Sequence, residues 1–500
     1  MEDERKEIIS KLDKDVASKV NLKDTIDISG LTTDQLKAYI GIMEWINTPF
    51  KVSDFKRAII GSAGVGKTFL LKAILKNCKL AYSTIGISAP THKAVRVIKT
   101  SLDGIKGVKI NTLQSDFGLR LNLDVEKFDI NNPPFDPKGN VKVSNYMLYI
   151  IDESSMINSG LLKFMEKIFI KEHCKVIYVG DDHQLAPVGQ LDIPAFKGTK
   201  SFVLKQIVRQ EEDNPLRYIL EILREDIKNK SYNFLNYILK NPVAFDKDNT
   251  KGYQVLNNND FITKLNETFN NEELTKDVDF VRVVSYTNIA VGCWNNIIRN
   301  SIIKDANKCI LTKNDLITSY VTIVDEFNDT IIRNSEDYII HDIVNYCHPN
   351  YKLKGFMVKF QAVFGGGITT PLFVIDHTDA FTIKRYCQLS NNLIETARNA
   401  GKGVRASAWK KYYEFKESCL LLKNIIKSDG TMLYPKDLDY GFALTAHKSQ
   451  GSTYNTVFVD INDIVYDKNG NVYPNAEEIN RRLYVAVSRA KTKVYFRYGT

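Results

Sequence analysis

Residues 61–68 read Gly-Ser-Ala-Gly-Val-Gly-Lys-Thr: a glycine, four residues, then Gly-Lys-Thr. That spacing works only where a buried strand runs into a tight loop and out into a helix, because the loop N–H groups must converge on one anion. The flanks supply both. Residues 55–60 end in an apolar run, and 67–77 carry Leu70, Leu71 and Ile74 at helical spacing. Gly61, Gly64 and Gly66 free the backbone to bend, and the helix start adds partial positive charge. In such a loop the backbone of Ser62, Ala63 and Val65 helps to cradle phosphates. Lys67 reaches the β- and γ-phosphates of ATP, and the Thr68 hydroxyl holds Mg²⁺.

Around this loop, apolar strand-like runs (55–60, 85–89, 147–151, 175–179) alternate with helical patterns, which implies an α/β fold with a parallel sheet and crossover helices. The same pattern covers 200–300, with a buried run at 281–285, and returns at 441–500 with runs near 457–460 and 493–496. Two stretches break it. Residues 116–145 hold alternating apolar positions around Asn-Asn-Pro-Pro and Lys-Gly-Asn, which reads as an inserted β-hairpin, with a disordered loop as the alternative. Residues 310–440 hold short β-like runs (321–324, 338–344, 356–364, 371–375), a triple glycine at 365–367 and a basic helical piece at 391–426. The expected organisation is a lead-in over 1–30, a first α/β lobe over 31–195 containing the hairpin, and a second lobe over 196–309 and 441–500 interrupted by a small β domain at 310–440.

Two further segments carry chemistry. Tyr149-Ile-Ile-Asp152-Glu153 ends an apolar strand in adjacent carboxylates. Asp152 suits a magnesium shell, and Glu153 suits a general base for water. Gly180-Asp-Asp-His-Gln184 follows another strand, where Gln184 can hydrogen-bond a γ-phosphate or its water.

Composition excludes several classes. The seven cysteines are scattered with no Cys-x-x-Cys pair, so neither a disulfide framework nor a zinc site is indicated. The N-terminus, MEDERKEIISKLDKD, is too charged for a signal peptide, and no apolar run approaches a membrane span. A cytoplasmic location and no membrane partner are expected. The net charge of +9 is compatible with a polyanionic partner without proving one.

Nine segments in order carry a family resemblance: 31–35 (LTTDQ), the 61–68 loop, 88–92 (SAPTH), 152–156 (DESSM), 180–188 (GDDHQLAPV), 208–210 (VRQ), 285–288 (SYTN), 445–453 (TAHKSQGST) and 483–490 (LYVAVSRA). The chain resembles superfamily 1 helicases of the RecD-like branch, which includes the phage Dda helicase. The resemblance implies two RecA-like lobes, ATP and Mg²⁺ as cofactors, single-stranded and duplex DNA as partners, and 5′→3′ movement along one strand. A monomer is implied, with a single-strand-binding or replication protein as a further partner.

The resemblance also assigns roles. Gln35 contacts adenine; Arg209 and Arg489 reach the γ-phosphate, where guanidinium charge offsets that of the transferred group. Pro90, Thr91, His92, Thr112, Gln114, Asn288, Thr445, His447 and Lys448 line a single-strand track. Gln450, Gly451 and Ser452 sit nearer ATP. His92, Phe117 and Trp294 are candidates for base stacking, with core packing favoured for Trp294. The 116–145 insertion falls where the family carries a strand-separating wedge, making Phe128 and Phe135 loose candidates for its tip. The 310–440 insertion falls where the family carries an SH3-like barrel, and Trp409 to Phe415 could form a tower bracing the wedge.

Two other readings share parts of this pattern. A single-strand translocase or protein-displacing ATPase would keep every ATP motif and lack an effective wedge. A nucleic-acid-binding scaffold with a dead ATP site would not need intact Lys67, Glu153, Gln184 and Arg489.

Overall fold

The computed structural model describes residues 28–119, 141–187, 189–190, 192–206, 214–304, 306–325, 330–401, 403–427 and 430–499. The chain divides into two units. The 120–140 segment, with Phe128 and Phe135, lies outside the described residues, as does Arg209. The hairpin expected at 116–145 is therefore seen only at its flanks, a one-turn helix over Leu113–Asp116 and a 3₁₀ turn over Lys142–Asn145.

The first unit centres on a six-stranded, wholly parallel sheet. Its strands are β1 (Lys56–Gly61), β2 (Ile85–Ala89), β3 (Lys109–Thr112), β4 (Leu148–Ile151), β5 (Lys175–Gly180) and β6 (Ser201–Leu204), in the order β3-β2-β4-β5-β1-β6. β2, β4 and β5 are buried along their whole length, as strands covered on both faces must be, and their sequences are accordingly apolar runs broken only by Ser88 and the leading Lys175. Helices α1 (Thr33–Ile46), α2 (Lys67–Asn77), α3 (His92–Ser101) and α4 (Ser159–Lys171) belong to this unit. Gly86 in β2 is dictated by packing: a Cβ there would lie 2.6 Å from the Tyr149 ring and 2.7 Å from that of Tyr146. Lys175, at the start of β5, is buried, and its ammonium donates to the carbonyls of Trp45 (2.6 Å), Ile46 (3.2 Å) and Thr48 (2.5 Å). It thereby satisfies the acceptors that the end of α1 leaves open.

The first lobe does not end at residue 195. β6 pairs in parallel with β1, and the unit runs to Asn214, with Leu220–Ser231 and Ala476–Ser488 added. Hydrogen bonding to β1, a partner some 140 positions away, decides this, and no local composition signal marks it.

The second unit has its own six-stranded sheet. The chain first lays down β7 (Val243–Phe245), β8 (Gly252–Leu256) and β9 (Val281–Ser285), then helix α5 (Asn288–Ile302). It then leaves this sheet for an antiparallel excursion. Strands β10 (Leu316–Ser319), β13 (Asp337–Cys347), β14 (Lys354–Ala362), β15 (Leu372–Ile375) and β18 (Leu438–Tyr440) form a five-stranded sheet in the order β15-β14-β13-β10-β18. Two ribbons accompany it, β11 (Ile323–Val324) with β12 (Thr330–Ile332) and β16 (Ile425–Ile426) with β17 (Met432–Tyr434). Between β15 and β16 stand two helices, α6 (Ala380–Asn399) and α7 (Arg405–Ser418), in place of the single helical piece expected at 391–426. The chain returns with β19 (Ala443–Thr445), β20 (Tyr454–Asp460) and β21 (Ala490–Arg497), giving the order β19-β9-β20-β21-β8-β7, parallel except for β7. Helix α8 (Ala476–Ser488), which lies between β20 and β21 in sequence, belongs to the first unit.

Trp294 is core, as favoured from the sequence: it is 3% exposed and its Nε1 donates to Asp460 Oδ2 (2.8 Å). Phe117 cannot stack on a base. It is fully buried, edge-on to Tyr149 (5.7 Å) and Phe169 (5.5 Å).

Candidate active site

The carboxyl ends of β1, β4 and β5, adjacent in the first sheet, bring the phosphate loop and both acidic segments together. Gly64 and Gly66 have φ of 87° and 75°, a region open to glycine and costly for other residues. Gly66 is the N-cap of α2, and no side chain caps that helix. By contrast, Thr91 caps α3, Asn158 caps α4 and Thr287 caps α5, each accepting from a first-turn N–H. The N–H groups at the start of α2 are thus left for an external anion. The Lys67 ammonium folds into the same loop, donating to Gly61 O (2.6 Å) and Ser62 O (3.1 Å).

Asp152 is half-buried at the end of β4, with Oδ1 accepting from Glu153 N (2.9 Å). Burial pushes its carboxyl above the ordinary range, opposed by the Lys67 charge and the Glu153 N–H. Glu153 has φ of 50° and ψ of 37°, the left-handed region, which costs a non-glycine residue about 1–3 kcal/mol. The turn takes Glu153 out of strand geometry immediately after Asp152. Two hard-oxygen groups, the Asp152 carboxylate and the Thr68 hydroxyl at the start of α2, are a donor set suited to Mg²⁺ beside bound phosphates.

At the end of β5, Asp181 is 1% exposed. Burial raises its carboxyl, but the His183 hydrogen bond and the charges of Lys67 and His183 prevail, and its pKa is lowered. His183 Nδ1 lies 3.4 Å from Asp181 Oδ1 and 3.0 Å from Asp182 Oδ1. Burial lowers the imidazole pKa, yet the two carboxylates outweigh it and push it up to about 9, so His183 is a cation at neutral pH. The Lys67 charge thus acts on an acidic wall formed by Asp152 and Asp181 at the ends of β4 and β5.

Two residues that hold this wall carry no assignment from the sequence. Tyr484 of α8 is buried, and its hydroxyl donates to Asp181 Oδ2 (2.7 Å). Arg481 donates to the carbonyls of Asp182 and Gln184, the latter at 2.8 Å. Tyr484 lies inside the quoted 483–490 segment, but 303 positions separate it from Asp181, and spacing alone cannot pair them.

Gln35 does not present a free amide. Its Oε1 accepts from Thr32 N (2.9 Å), completing a capping box on α1, and its Nε2 donates to Val65 O (2.8 Å) in the phosphate loop. It braces the loop.

The residues assigned to a DNA track divide between the units. Thr91 and Thr112 in the first, and Thr445 in the second, each follow or end a parallel strand and cap the next helix. Pro90, Thr112 and Gln114 are buried, His92 and His447 are half-buried and Asn288 is exposed. The Lys448 ammonium donates to Asn334 Oδ1 (3.1 Å) and Ser335 Oγ (3.0 Å) and lies over the Tyr320 ring (4.3 Å), so it ties β19's helix to the antiparallel excursion. Gly451 has φ of 71°. Arg489 is 5% exposed, with Nη1 donating to Ser452 O (3.2 Å).

An AAA domain model matches residues 45–237 and a UvrD-like helicase C-terminal domain model matches 440–496. An uncharacterized protein of Acanthamoeba polyphaga mimivirus is 23% identical over 494 residues, covering 88% of this chain and 94% of that protein. The conjugal transfer protein TraA of Agrobacterium fabrum is 27% identical over 212 residues, 41% of this chain, but the match spans only 16% of TraA. Among solved structures, Pif1 helicase from Bacteroides in complex with ADP-AlF3 and ssDNA aligns at 16% identity with a TM-score of 0.47, covering 94% of this chain and 93% of that one. The two family models fall on the two parallel sheets, in the order of the nine motif segments and with the phosphate-loop site built in the first. The chain thus carries an AAA domain followed by a UvrD-like helicase C-terminal domain, which bears out the resemblance to superfamily 1 helicases of the RecD-like branch and supports an ATP-dependent helicase of the phosphate-loop class.

Proposed function

We propose that the protein moves 5′→3′ along single-stranded DNA and separates duplex ahead of it, with ATP hydrolysis at the β1–β4–β5 site driving each step. The convergence of Lys67, Asp152, Asp181 and the Gln184 loop in one unit carries the ATPase half of this reading. In it, Lys67 leaves its two loop carbonyls for phosphate oxygens, and Glu153 takes the proton of the attacking water. Gln184 orients that water. Thr68 and Asp152 hold Mg²⁺, which neutralises phosphate charge when bound. Arg489 and Arg209, both assigned by the resemblance, stabilise charge on the leaving γ-phosphoryl group.

The DNA half rests on the family resemblance, supported by the capping geometry. Thr91, Thr112 and Thr445 start helices at strand ends, and Pro90, His92, Gln114, Asn288, His447 and Lys448 lie beside such starts. The threonine hydroxyls there accept from a first-turn N–H and keep an O–H to donate, which suits sequence-independent phosphate contacts. The antiparallel excursion corresponds in this reading to the SH3-like domain at 310–440, and the 116–145 insertion to the wedge. Direction, the wedge and a monomeric working state come from the resemblance.

Duplexes with a 5′ or a 3′ single-stranded tail test the reading. Unwinding of the 5′-tailed substrate alone is expected, and it should vanish in Lys67→Ala together with ATPase. Unwinding of the 3′-tailed substrate would overturn the polarity. ATP-driven movement on single strands without strand separation would favour a translocase or protein-displacing ATPase.

A further inference from the structure

Helix α7 buries one side through Phe415, which is 1% exposed and packs against Tyr351 (4.8 Å) and Tyr386 (5.2 Å). That side completes an apolar cluster with Phe373, Ile375 and Leu421. Trp409, Tyr412 and Tyr413 are not members of the cluster. They form their own, with ring centroids 5.8 Å (Trp409–Tyr412), 6.1 Å (Trp409–Tyr413) and 5.3 Å (Tyr412–Tyr413) apart. Tyr413 is 36% exposed and Trp409 half-buried, whereas Trp45 and Trp294 are each only 3% exposed.

Helical spacing places Arg405, Trp409, Tyr412, Tyr413 and Lys416 on one face, with a cation at each end of the aromatic group. Residues 398–418 carry six cations against two carboxylates, and one of those two, Glu414, is paired with Lys410 (3.7 Å). Three large rings held together beside water, and bracketed by positive charge, match a ligand with both a flat π-face and an anionic backbone. A duplex hides its base faces; a single strand offers both features at once. An apolar protein partner would gain nothing from the flanking cations.

We propose that this face of α7 is a second docking surface for single-stranded DNA, taking one or two nucleotides apart from the threonine-capped helix starts. The proposal rests on the DNA-tracking reading and adds a contact outside the motor. Bases stack on Trp409 and Tyr413, and the backbone lies against Arg405 and Lys416. A surface of this kind holds a strand through the part of the cycle in which the motor loosens its grip.

Intrinsic tryptophan emission tests it on the full chain, because Trp409 is the least buried of the three tryptophans. A long oligothymidylate should quench the emission in the parent, and Trp409→Phe should lose most of that quench. The double variant Trp409→Ala/Tyr413→Ala should bind the long oligomer about tenfold or more weakly, since stacking on one aromatic contributes on the order of 1–3 kcal/mol per base. Its basal ATPase, and its stimulation by a short oligomer that fills only the motor, should match the parent. Quenching that survives in Trp409→Phe, or equal long-oligomer affinity in the double variant with DNA-stimulated ATPase intact, overturns the surface and leaves the helicase reading standing. A double variant that binds DNA like the parent but fails to unwind would show that the face braces strand separation instead of holding DNA, and also overturns it. A parent ATPase indifferent to both oligomers would sink the DNA-tracking reading and this surface with it.

Discussion

The two parallel sheets solve the same local problem and use their carboxylates differently. In each, chain leaving a strand end enters a helix whose first turn is capped by a threonine: Thr91 and Thr112 in the first sheet, Thr287 and Thr445 in the second. In the second sheet the acids at the strand ends are committed to structure. Asp460, at the end of β20, accepts from Trp294 Nε1 (2.8 Å) and Arg497 Nη1 (3.0 Å). Asp463 accepts from Tyr286 N (2.7 Å), Thr287 N (2.8 Å) and Thr287 Oγ1 (2.6 Å). In the first sheet, the Lys67 charge instead acts on both Asp152 and Asp181, and the start of α2 has glycine where those of α1, α3 and α4 have a capping side chain. In the proposed reading, the same architecture becomes an ATPase where a cap is withheld and carboxylates sit within reach of a lysine's charge. Elsewhere it is a scaffold.

That contrast breaks most visibly at Arg489, the residue of the second unit assigned to ATP chemistry. Arg489→Ala should reduce turnover by about 10³–10⁵-fold with little change in ATP affinity, because guanidinium charge matters most as the γ-phosphoryl group departs. Steady-state ATPase beside nucleotide binding decides it. Near-normal turnover would confine the chemistry to the first unit and leave Arg489 as a bracket for Ser452.

Within the first sheet, Glu153→Gln should retain ATP binding while hydrolysis falls by about 10²–10⁴-fold, the usual contribution of a positioned base. Parallel loss of binding and hydrolysis would mean that the left-handed turn at Glu153 shapes the loop and that the base lies elsewhere.

His183 sharpens the comparison through pH. Its pKa in the folded chain, about 9, exceeds the ordinary 6.5, so the folded state holds the proton more tightly than the unfolded chain. The resulting stabilisation is complete below pH 6.5 and fades as pH rises through 9, with an upper size of roughly 3 kcal/mol. The groups facing the imidazole are Asp181, Asp182, the Tyr484 ring (5.9 Å) and, at longer range, Glu225. Chemical unfolding from pH 6.5 to 9 should show this decline in the parent and a flatter profile in His183→Asn. Equal slopes would mean that the acidic wall is balanced without the imidazolium.

The smallest effect is expected from the structural acid of the second sheet. Asp463→Ala leaves two backbone N–H groups and the Thr287 hydroxyl without their acceptor, a cost of about 1–3 kcal/mol in stability. DNA affinity should weaken with it, and basal ATPase should not change. A fall in basal ATPase as large as that of Glu153→Gln would erase the distinction between working and structural carboxylates.

How much of this was legible in sequence follows from the range of the interactions. The strand, glycine loop and helix at 56–77 lie in one local stretch, so pattern and spacing disclose them, and the helix spans Lys67–Asn77 as the sequence predicts. Asp152-Glu153 and Asp181 to Gln184 are legible because each follows a fully buried strand. Strands β13, β14 and β15 of the excursion are also legible, since each is an apolar stretch bounded by turns, whereas β10, β12, β17 and β18 fall outside the expected runs and the helical piece divides into α6 and α7 around a glycine-containing turn.

What tertiary structure alone decided is which distant groups meet. No spacing pairs β6 with β1, and that pairing moves the end of the first lobe past residue 195. None pairs Tyr484 and Arg481 with the Asp181 to Gln184 loop, or gives Lys448 its acceptors at Asn334 and Ser335. The resemblance assigns Gln35 to adenine, and in the folded chain its amide bonds Thr32 and Val65. Phe117 reads as a stacking candidate, and folding places it among Tyr149 and Phe169. Backbone periodicity and turn chemistry are local and leave their record in the residue order. Burial, and the choice of hydrogen-bond partner for a buried polar group, are settled only when distant segments exclude water from the same place.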